Sequence, residues 1–272
     1  MKKHLSTFFL ILIFFTGLSL LLYPSFSDWW NSLHSSQVIA SYAEQVANMD
    51  QEEYDHLWQD ARDYNQSLLS RTNSFRLTEE QKLQYQALLN VGGNGIMGYI
   101  EIPSIKVTLP IYHGTDEAVL QIAIGHLEWT SLPVGGTSTH SVVSGHRGLP
   151  SAKLFTDLDK VAEGDIFLFR ILDEILTYQV DQIRIVEPQE VDNLLIEEGK
   201  DLCTLVTCTP YGINSHRLLV RGRRIENIEE SKRIIVTADA VQIDPVIVAP
   251  VVAAPMLLIL LIGLLMPKKR RR

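Results

Sequence analysis

The sequence contains little cysteine, with two residues in a chain of 272. Two cysteines are too few for a disulfide-dense mini-domain or for a zinc site with four cysteine ligands. Basic residues are outnumbered, with 24 Lys and Arg against 32 Asp and Glu and a net charge of −8. This balance argues against nucleic-acid binding, which leaves a basic footprint. The absence of internal repeats and of Gly/Ser-rich or Pro-rich tracts argues against solenoid arrays and disordered scaffolds.

Apolar residues are abundant, at 46% of the chain, and the mean hydropathy is +0.07. Two uncharged runs account for much of this: residues 5–22, after Lys2 and Lys3, and residues 246–266, which precede a basic terminus. Eighteen residues at 1.5 Å rise span about 27 Å, close to the thickness of a bilayer core. The second run predicts a transmembrane helix. The first is either a retained membrane anchor or a cleaved signal peptide, and the sequence leaves both open.

The basic flanks of the two runs predict the orientation in the membrane. Cytoplasmic flanks carry an excess of Lys and Arg, so both termini are expected in the cytoplasm and the middle of the chain outside. We therefore expect a protein of the cell membrane with an extracytoplasmic central part and a cytoplasmic C-terminal tail.

The texture of the sequence divides the chain into six parts. These are an N-terminal anchor or signal segment (1–27), a helical appendage with a lid region (28–90), a β-rich domain (91–230), a linker (231–245), a transmembrane helix (246–267) and a basic cytoplasmic tail (268–272). Within the appendage, Asp50 and Glu53, and then Thr78 and Gln81, have the spacing of helix-capping pairs.

The central part predicts an all-β fold. Short runs with strand character follow one another between turn residues, and a brief helical turn is expected at 156–158. Seven strands in sequence, with few long helices, indicate a barrel or a sandwich. The runs are 98–102, 107–112, 141–144, 165–171, 176–186, 202–208 and 217–225.

The two cysteines lie in one predicted strand. Cys203 and Cys208 are five positions apart, which separates them by roughly 17 Å and places them on opposite faces. A disulfide requires Cα atoms within about 7 Å, so we expect both thiols to be free. Cys203 lies inside an apolar run and is expected to be a small buried residue. Cys208 ends the strand before a turn, where a thiol can react, although a structural cysteine remains an alternative.

A nucleophilic cysteine needs a base or ion-pair partner and a group that stabilises an oxyanion. His146 follows a strand between small residues that leave its imidazole accessible. Arg217 begins the strand after Cys208, and a short hairpin would return its guanidinium beside the thiol. The spacing alone equally allows His146 to be a turn residue and Arg217 to be a surface cation.

Several motifs resemble those of one family. The segment TLVTC at 204–208 matches the TLxTC signature of sortases, the membrane-anchored cysteine transpeptidases of Gram-positive bacteria. The segments TCTPYG at 207–212, HRLLVRG at 216–222, LPVGG at 132–136 and SGHRGLP at 144–150 are similar to the class C, pilus-assembling sortases. The segment GYIEIP at 98–103 is also similar to that group. The resemblance covers about residues 95–225.

The resemblance implies a closed eight-stranded sortase barrel with the helical appendage and flanking transmembrane segments. It implies Cys208 as nucleophile, His146 as acid and base, and Arg217 as oxyanion stabiliser. The thiolate would cleave an LPxTG-like sorting signal between Thr and Gly, and the thioester would pass to a lysine amine of a pilin subunit. Pilins and the membrane are the partners that it implies.

Five further residues are candidates for supporting roles. Thr207, Thr209, His126 and His140 are expected to contact the substrate or to support the catalytic side chains, and a structural role is the alternative for His126 and His140. Many class C sortases cover the cysteine with a lid that carries an Asp-Pro-aromatic motif. Residues 71–77 contain no Asp-Pro, so we expect a lid that is absent, short or weakly docked, with Phe75 as its candidate aromatic residue.

No cofactor or metal is predicted, because the spacing of the histidines from His113 to His146 matches no compact zinc pattern. Three alternatives to pilus assembly stay open. They are a housekeeping sortase that anchors proteins to the cell wall, a membrane-anchored cysteine hydrolase, and a non-enzymatic binding module with a structural Cys208.

Overall fold

The computed structural model describes residues 2–70 and 75–227, with side chains from residue 7 onward. The predicted linker, the second transmembrane helix and the basic tail therefore lie outside the described residues.

Eight strands form one closed barrel in the order β1-β2-β3-β4-β7-β8-β6-β5. Neighbours are antiparallel except for the pairs β2·β3 and β4·β7, which are parallel. The closed barrel confirms the fold expected from the resemblance. The strands are β1 (Ile96–Ile102), β2 (Val107–His113), β3 (Ile124–His126), β4 (Thr139–Ser144), β5 (Ile166–Ile171), β6 (Glu174–Val186), β7 (Asp201–Thr209) and β8 (His216–Arg224).

All seven strand runs predicted from the sequence are strands, with ends that move by one or two residues. The sequence prediction missed β3, because a strand of three residues is too short to show an alternating pattern. The brief helical turn expected at 156–158 is a 3-10 turn at Leu158–Lys160, two residues later. Two further 3-10 turns lie at Pro103–Ile105 and Asp192–Leu194.

In residues 2–70 and 75–227, four helices accompany the barrel: α1 (Lys2–Ala47), α2 (Gln51–Leu68), α3 (Glu79–Ala87) and α4 (Glu117–Leu120). The predicted caps are present, since the Asp50 side chain accepts from the Glu53 amide at the start of α2. Thr78 and Gln81 form a reciprocal capping box at the start of α3. In the described part of the chain, one helix is long and apolar enough to cross a membrane, and this is α1.

The barrel interior is filled with large apolar side chains. The Phe167 and Tyr178 rings stack with 5.6 Å between centroids, and both are fully buried. Gly222 on β8 makes room for them, since a Cβ there would lie 2.6 Å from the Phe167 ring. This packing removes the apolar residues of β5, β6 and β8 from water, which is the main force that holds the barrel closed.

The helices are fastened to the barrel by buried polar side chains. The Tyr42 hydroxyl of α1 donates to the Met97 carbonyl at 2.9 Å and accepts from the Leu172 amide at 2.8 Å. Asn65 of α2 forms two hydrogen bonds with the Leu132 backbone, at 2.7 and 3.1 Å. These bonds satisfy backbone groups that burial would otherwise leave unpaired, so they fix where α1 and α2 sit.

Candidate active site

The register of three neighbouring strands brings the predicted catalytic residues to one end of the barrel. Cys208 of β7 lies directly opposite Arg217 of β8. On the other side of β7, the parallel strand β4 places Ser144 opposite Val206, and His146 follows two residues beyond. Because the strands run side by side, His146, Cys208 and Arg217 meet at the same edge. All three side chains are partly exposed.

The two cysteines lie on opposite faces of β7, as the sequence predicted. Cys203 and Leu205 belong to the large core cluster. Val206 belongs to a second apolar cluster on the outer face of the sheet. Successive side chains alternate between faces, so Cys208 shares the outer face with Val206. Both thiols are free, which confirms the predicted absence of a bridge between them.

Burial separates the two thiols chemically. Cys203 is fully buried, and desolvation, with the nearby Asp201 carboxylate as a smaller cause, raises the pKa of its thiol well above the ordinary value. A thiol in that state forms almost no nucleophilic thiolate near neutral pH. Cys208 is partly exposed, which leaves its sulfur accessible to a substrate. The prediction of a buried, small Cys203 is confirmed.

Hydrogen bonds between β4 and β7 position the backbone that carries His146. The Gly145 amide donates to the Val206 carbonyl at 3.0 Å, and the Thr207 hydroxyl donates to the Gly145 carbonyl at 2.8 Å. The His146 carbonyl accepts from the Phe155 amide at 3.1 Å. Thr207, predicted as a supporting residue, thus links the strand of Cys208 to the residue before His146.

The positive charge of Arg217 is not neutralised by a carboxylate among the described residues. Its Nη1 donates to the Asn214 carbonyl at 3.3 Å and to the His216 carbonyl at 3.1 Å. The two backbone bonds hold the guanidinium against the turn that joins β7 to β8, on a residue that pairs with Cys208. A permanent positive charge at this end of the barrel can stabilise a developing oxyanion.

Arg147 is a residue that the sequence reasoning did not single out, although it lies within the SGHRGLP motif. Its Nη1 donates to the Thr209 hydroxyl at 3.3 Å, and its Nη2 forms an ion pair with Asp159. The residue after His146 is thereby joined to the residue after Cys208. Thr209 is 7% exposed, and its hydroxyl serves this link. The bond pairs strand ends far apart in sequence, so local patterns did not reveal it.

The structure places the other two predicted histidines in buried polar networks. The His126 ring contacts the Tyr85 hydroxyl at 3.0 Å and the Ser131 carbonyl at 2.8 Å, and burial lowers its pKa to about 3. The His140 ring contacts the Leu195 carbonyl and the Thr204 hydroxyl, both at 2.8 Å. Burial lowers the pKa of His140 as well.

His140 also lies far from the thiol. It pairs with Leu202, six residues before Cys208 on β7, which is about 20 Å along the strand. Neither His126 nor His140 is brought together with Cys208 by these contacts. Both histidines join segments of the fold, and a role in contacting substrate has no support in their surroundings.

A second, buried apolar cluster lies on the same outer face of the sheet as Cys208. The residues that form it come from β4, β6, β7, β8 and the turn after β6, and the Trp129 and Leu127 side chains pack against them. They are Val142, Val186, Leu194, Val206 and Leu219. We call this set the outer apolar cluster. All five residues are at most 8% exposed, so the cluster packs the segments that carry Trp129 and Leu194 onto the sheet.

Phe75, the candidate lid residue, lies at the rim of this cluster. Its ring packs edge-on against Trp129, with 5.0 Å between centroids, and it is 43% exposed. Residues 71–74, which precede it, lie outside the described part of the chain. A lid function for Phe75 therefore stays a prediction.

Among the described residues, no group of three His, Cys, Asp or Glu side chains is arranged to hold a metal ion. The chemistry available at this edge is that of a thiol, an imidazole and a guanidinium. Together they can attack a carbonyl carbon, transfer a proton to a leaving amine and neutralise a tetrahedral oxyanion.

Known proteins share this fold and its motifs. The sortase domain family model matches residues 100–225. The crystal structure of sortase C1 from Streptococcus agalactiae is 51% identical, with a TM-score of 0.69, and covers 71% of this chain and 100% of that one. Sortase C from Streptococcus pneumoniae is 45% identical, with a TM-score of 0.62 and coverages of 70% and 97%.

A curated relative agrees. Sortase D of Bacillus subtilis is 28% identical over 131 residues, which cover 47% of this chain and 63% of that protein. The match thus spans less than two thirds of that relative, whereas it spans the whole solved structure of sortase C1. The chain belongs to the sortase family of cysteine transpeptidases, in its class C group.

Proposed function

We propose that this protein cleaves an LPxTG-like sorting signal between Thr and Gly and transfers the acyl group to a lysine amine of a pilin subunit, so that pilins polymerise. The observation that carries the proposal is the register that sets His146, Cys208 and Arg217 side by side at three strand ends. The related Streptococcus pneumoniae sortase C is described in terms of pilin substrate specificity, which supports a pilin as the acceptor.

The first half of the reaction forms a thioester. The Cys208 thiolate attacks the carbonyl carbon of the Thr–Gly bond, and the oxyanion that develops is stabilised by the Arg217 guanidinium. Collapse of the intermediate breaks the C–N bond, and the imidazolium of His146 gives its proton to the glycine amine as it leaves. The acyl group is then held on sulfur and His146 is neutral.

The second half transfers the acyl group. A lysine amine attacks the thioester carbonyl, His146 removes a proton from the attacking nitrogen, and the Cys208 thiolate leaves. The product is an isopeptide bond, and the side chains return to their starting protonation. An acceptor amine rather than water is favoured when the site limits access of water.

We further propose that α1 anchors the enzyme in the cell membrane with the barrel outside the cell and the C-terminal tail in the cytoplasm. The apolar part of α1 exposes its large side chains, with Leu20 at 72% and Leu21 at 74%. Exposed leucines over this length are expected where lipid, and not protein, covers the helix. A removed signal peptide remains the alternative for residues 1–27.

Intact mass spectrometry of the full chain with an LPxTG-type peptide tests the chemistry. We expect an acyl adduct on Cys208 that is absent in Cys208→Ala and present in the matched control Cys203→Ala. A pilin lysine should discharge the adduct faster than water does. Discharge by water alone would indicate the hydrolase, and preference for a cell-wall precursor amine would indicate the housekeeping sortase. An unmodified Cys208 across a panel of sorting peptides would refute the proposal.

A further inference from the structure

The exposed apolar side chains of the barrel are gathered at one end. Between residues 96 and 227, four large apolar side chains are exposed, and their exposed fractions run from 49% to 72%. They are Ile122, Ile185, Tyr211 and Ile213. Four such residues scattered over a barrel would need no explanation, but a cluster of them marks an interaction surface.

The register places all four at the end that carries Cys208. Tyr211 and Ile213 lie in the turn between β7 and β8, directly after the thiol. Ile185 pairs with Leu218, next to the Cys208–Arg217 pair.

Ile122 reaches the same end from the other side of the barrel. It lies two residues before β3, whose Gly125 pairs with Ser144 near the end of β4. We call this set of four residues the apolar tip. The exposed side chains of the opposite end include charged residues such as Glu174, Glu198 and Lys200.

The contacts of α1 show which end of the barrel faces the membrane. Where α1 leaves its apolar run, the Asp28 carboxylate accepts from the Lys153 amide at 2.7 Å, and the Asn31 amide donates to the Ser151 carbonyl at 2.6 Å. Ser151 and Lys153 follow His146 in the loop after β4. Further along, Tyr42 contacts the β5–β6 hairpin at the opposite end. The helix thus enters beside the active site and runs away from it.

The distance along α1 sets the height of this end above the bilayer. Asp28 follows the last residue of the apolar run, Leu22, by six residues, or about 9 Å of helix. The polar headgroup layer is about 5–7 Å thick on each side of the core. Four exposed aromatic side chains of the kind that mark a membrane interface lie on this part of the helix: Tyr23 and Phe26 before Asp28, and Trp29 and Trp30 directly after it. The loop after β4 is therefore level with the membrane surface.

The apolar tip is connected to that loop. The Tyr211 ring lies against Gly148, where a Cβ would come within 2.7 Å of the ring. The Arg147 guanidinium covers the same ring at 5.9 Å from its centroid. Gly148 is three residues along the loop from Ser151, which contacts α1, so the turn that carries Tyr211 packs against the part of the loop next to the helix.

We propose that the active-site end of the barrel rests on the bilayer that α1 crosses, with the side chains of the apolar tip in the lipid interface. The inference rests on the proposed membrane span and not on the transpeptidase chemistry. Large apolar side chains that enter the boundary between headgroups and acyl chains lower the free energy of the bound state. In this arrangement the Cys208 thiol lies next to the membrane surface.

Spin labels on the full chain in vesicles of phosphatidylglycerol and phosphatidylcholine test this arrangement. The chain carries Cys208→Ala, and Cys203 is fully buried, so a nitroxide attaches to an introduced cysteine. Ile122→Cys and Ile213→Cys place labels on two separate turns of the apolar tip. Glu198→Cys is the matched control at the opposite end, and Ile13→Cys reports on the span itself.

Relaxation by oxygen and by a water-soluble nickel chelate gives the depth of each label. We expect the labels at 122 and 213 to respond more to oxygen and less to the chelate than the label at 198. If their ratio equals that at 198 while the label at 13 is in lipid, the inference is wrong and the span stands. If the label at 13 is itself accessible to the chelate, both are wrong.

Discussion

Strand β4 with the loop that follows it supplies two histidines, β7 supplies two cysteines, and β8 supplies two of the arginines compared below. Each strand has one member near the active site and one toward the opposite end. The first set is His146, Cys208 and Arg217, and the second is His140, Cys203 and Arg221.

The members of the second set are committed to the fold. Cys203 faces the core, and both ring nitrogens of His140 are hydrogen-bonded. Arg221 pairs with Asp181 through two bonds of 3.0 Å and with Glu197 at 2.8 Å. The comparison indicates three conditions for a candidate site. The thiol lies on the outer face of its strand, the side chains are partly exposed, and the guanidinium has no carboxylate partner among the described residues.

The largest difference is expected between the two cysteines. Cys208→Ala should lower acyl transfer by at least about 10³-fold, since removal of a nucleophile leaves only binding and oxyanion stabilisation. Cys203→Ala should keep most of the activity and lose some stability, because it opens a small cavity in the core. Steady-state transfer rates and urea unfolding midpoints measure the two effects. Comparable losses of activity in both variants would remove the distinction.

The two arginines should separate almost as clearly. Arg217→Lys keeps a charge but loses the planar fork, and we expect kcat to fall by about 10²-fold. Arg221→Lys loses its two-bond contact with Asp181, so it should lower stability while kcat is retained. Rates measured at saturating peptide, with unfolding curves for each variant, provide the check. A large kcat effect at Arg221 would mean that the opposite end contributes to catalysis.

Acid should weaken the fold through its buried histidines. Burial lowers the pKa of His126 to about 3 and also lowers that of His140, from 6.5 in both cases. Below pH 6.5 the unfolded chain therefore binds protons that the folded chain does not. Stability should fall as pH falls, and His126 should contribute up to about 1.4 kcal/mol per pH unit from about pH 6.5 down to about pH 3.

Urea unfolding between pH 4 and 7 measures this slope. His126→Gln cannot take up the proton, so its stability should decline less steeply with falling pH than that of the parent chain. Parallel slopes for the two proteins would show that His126 does not carry the effect.

The smallest effects distinguish two threonines of β7. Thr207→Val breaks the hydrogen bond to the Gly145 carbonyl beside His146, and Thr204→Val breaks the one to His140. Each should cost about 1 kcal/mol of stability, because a buried partner is left unpaired. Only Thr207→Val should also lower kcat. Equal kcat values in the two variants would mean that the Thr207 bond does not position His146.

The sequence predicted the barrel, its seven longer strands and the three residues at the candidate site, because alternating patterns and the family motifs are local. It did not predict the link from Arg147 to Thr209, which depends on the parallel pairing of β4 with β7. Supporting roles at the site were predicted for His126 and His140, whereas both lie in buried polar networks. Burial of a histidine is decided by tertiary contacts, which a sequence pattern does not show.

The parallel pairing of β4 with β7 also affects when the active site forms during folding. The hairpin of β5 and β6 lies between these strands in the chain, and β7 is the last strand but one. Contacts so distant in sequence form slowly, because the entropy of closing a long loop is lost before the contacts can stabilise the fold. In the proposed topology α1 stays in the membrane, and most of the barrel is translocated before Cys208 emerges. Its thiol therefore meets its partners only when synthesis and translocation of the barrel are nearly complete.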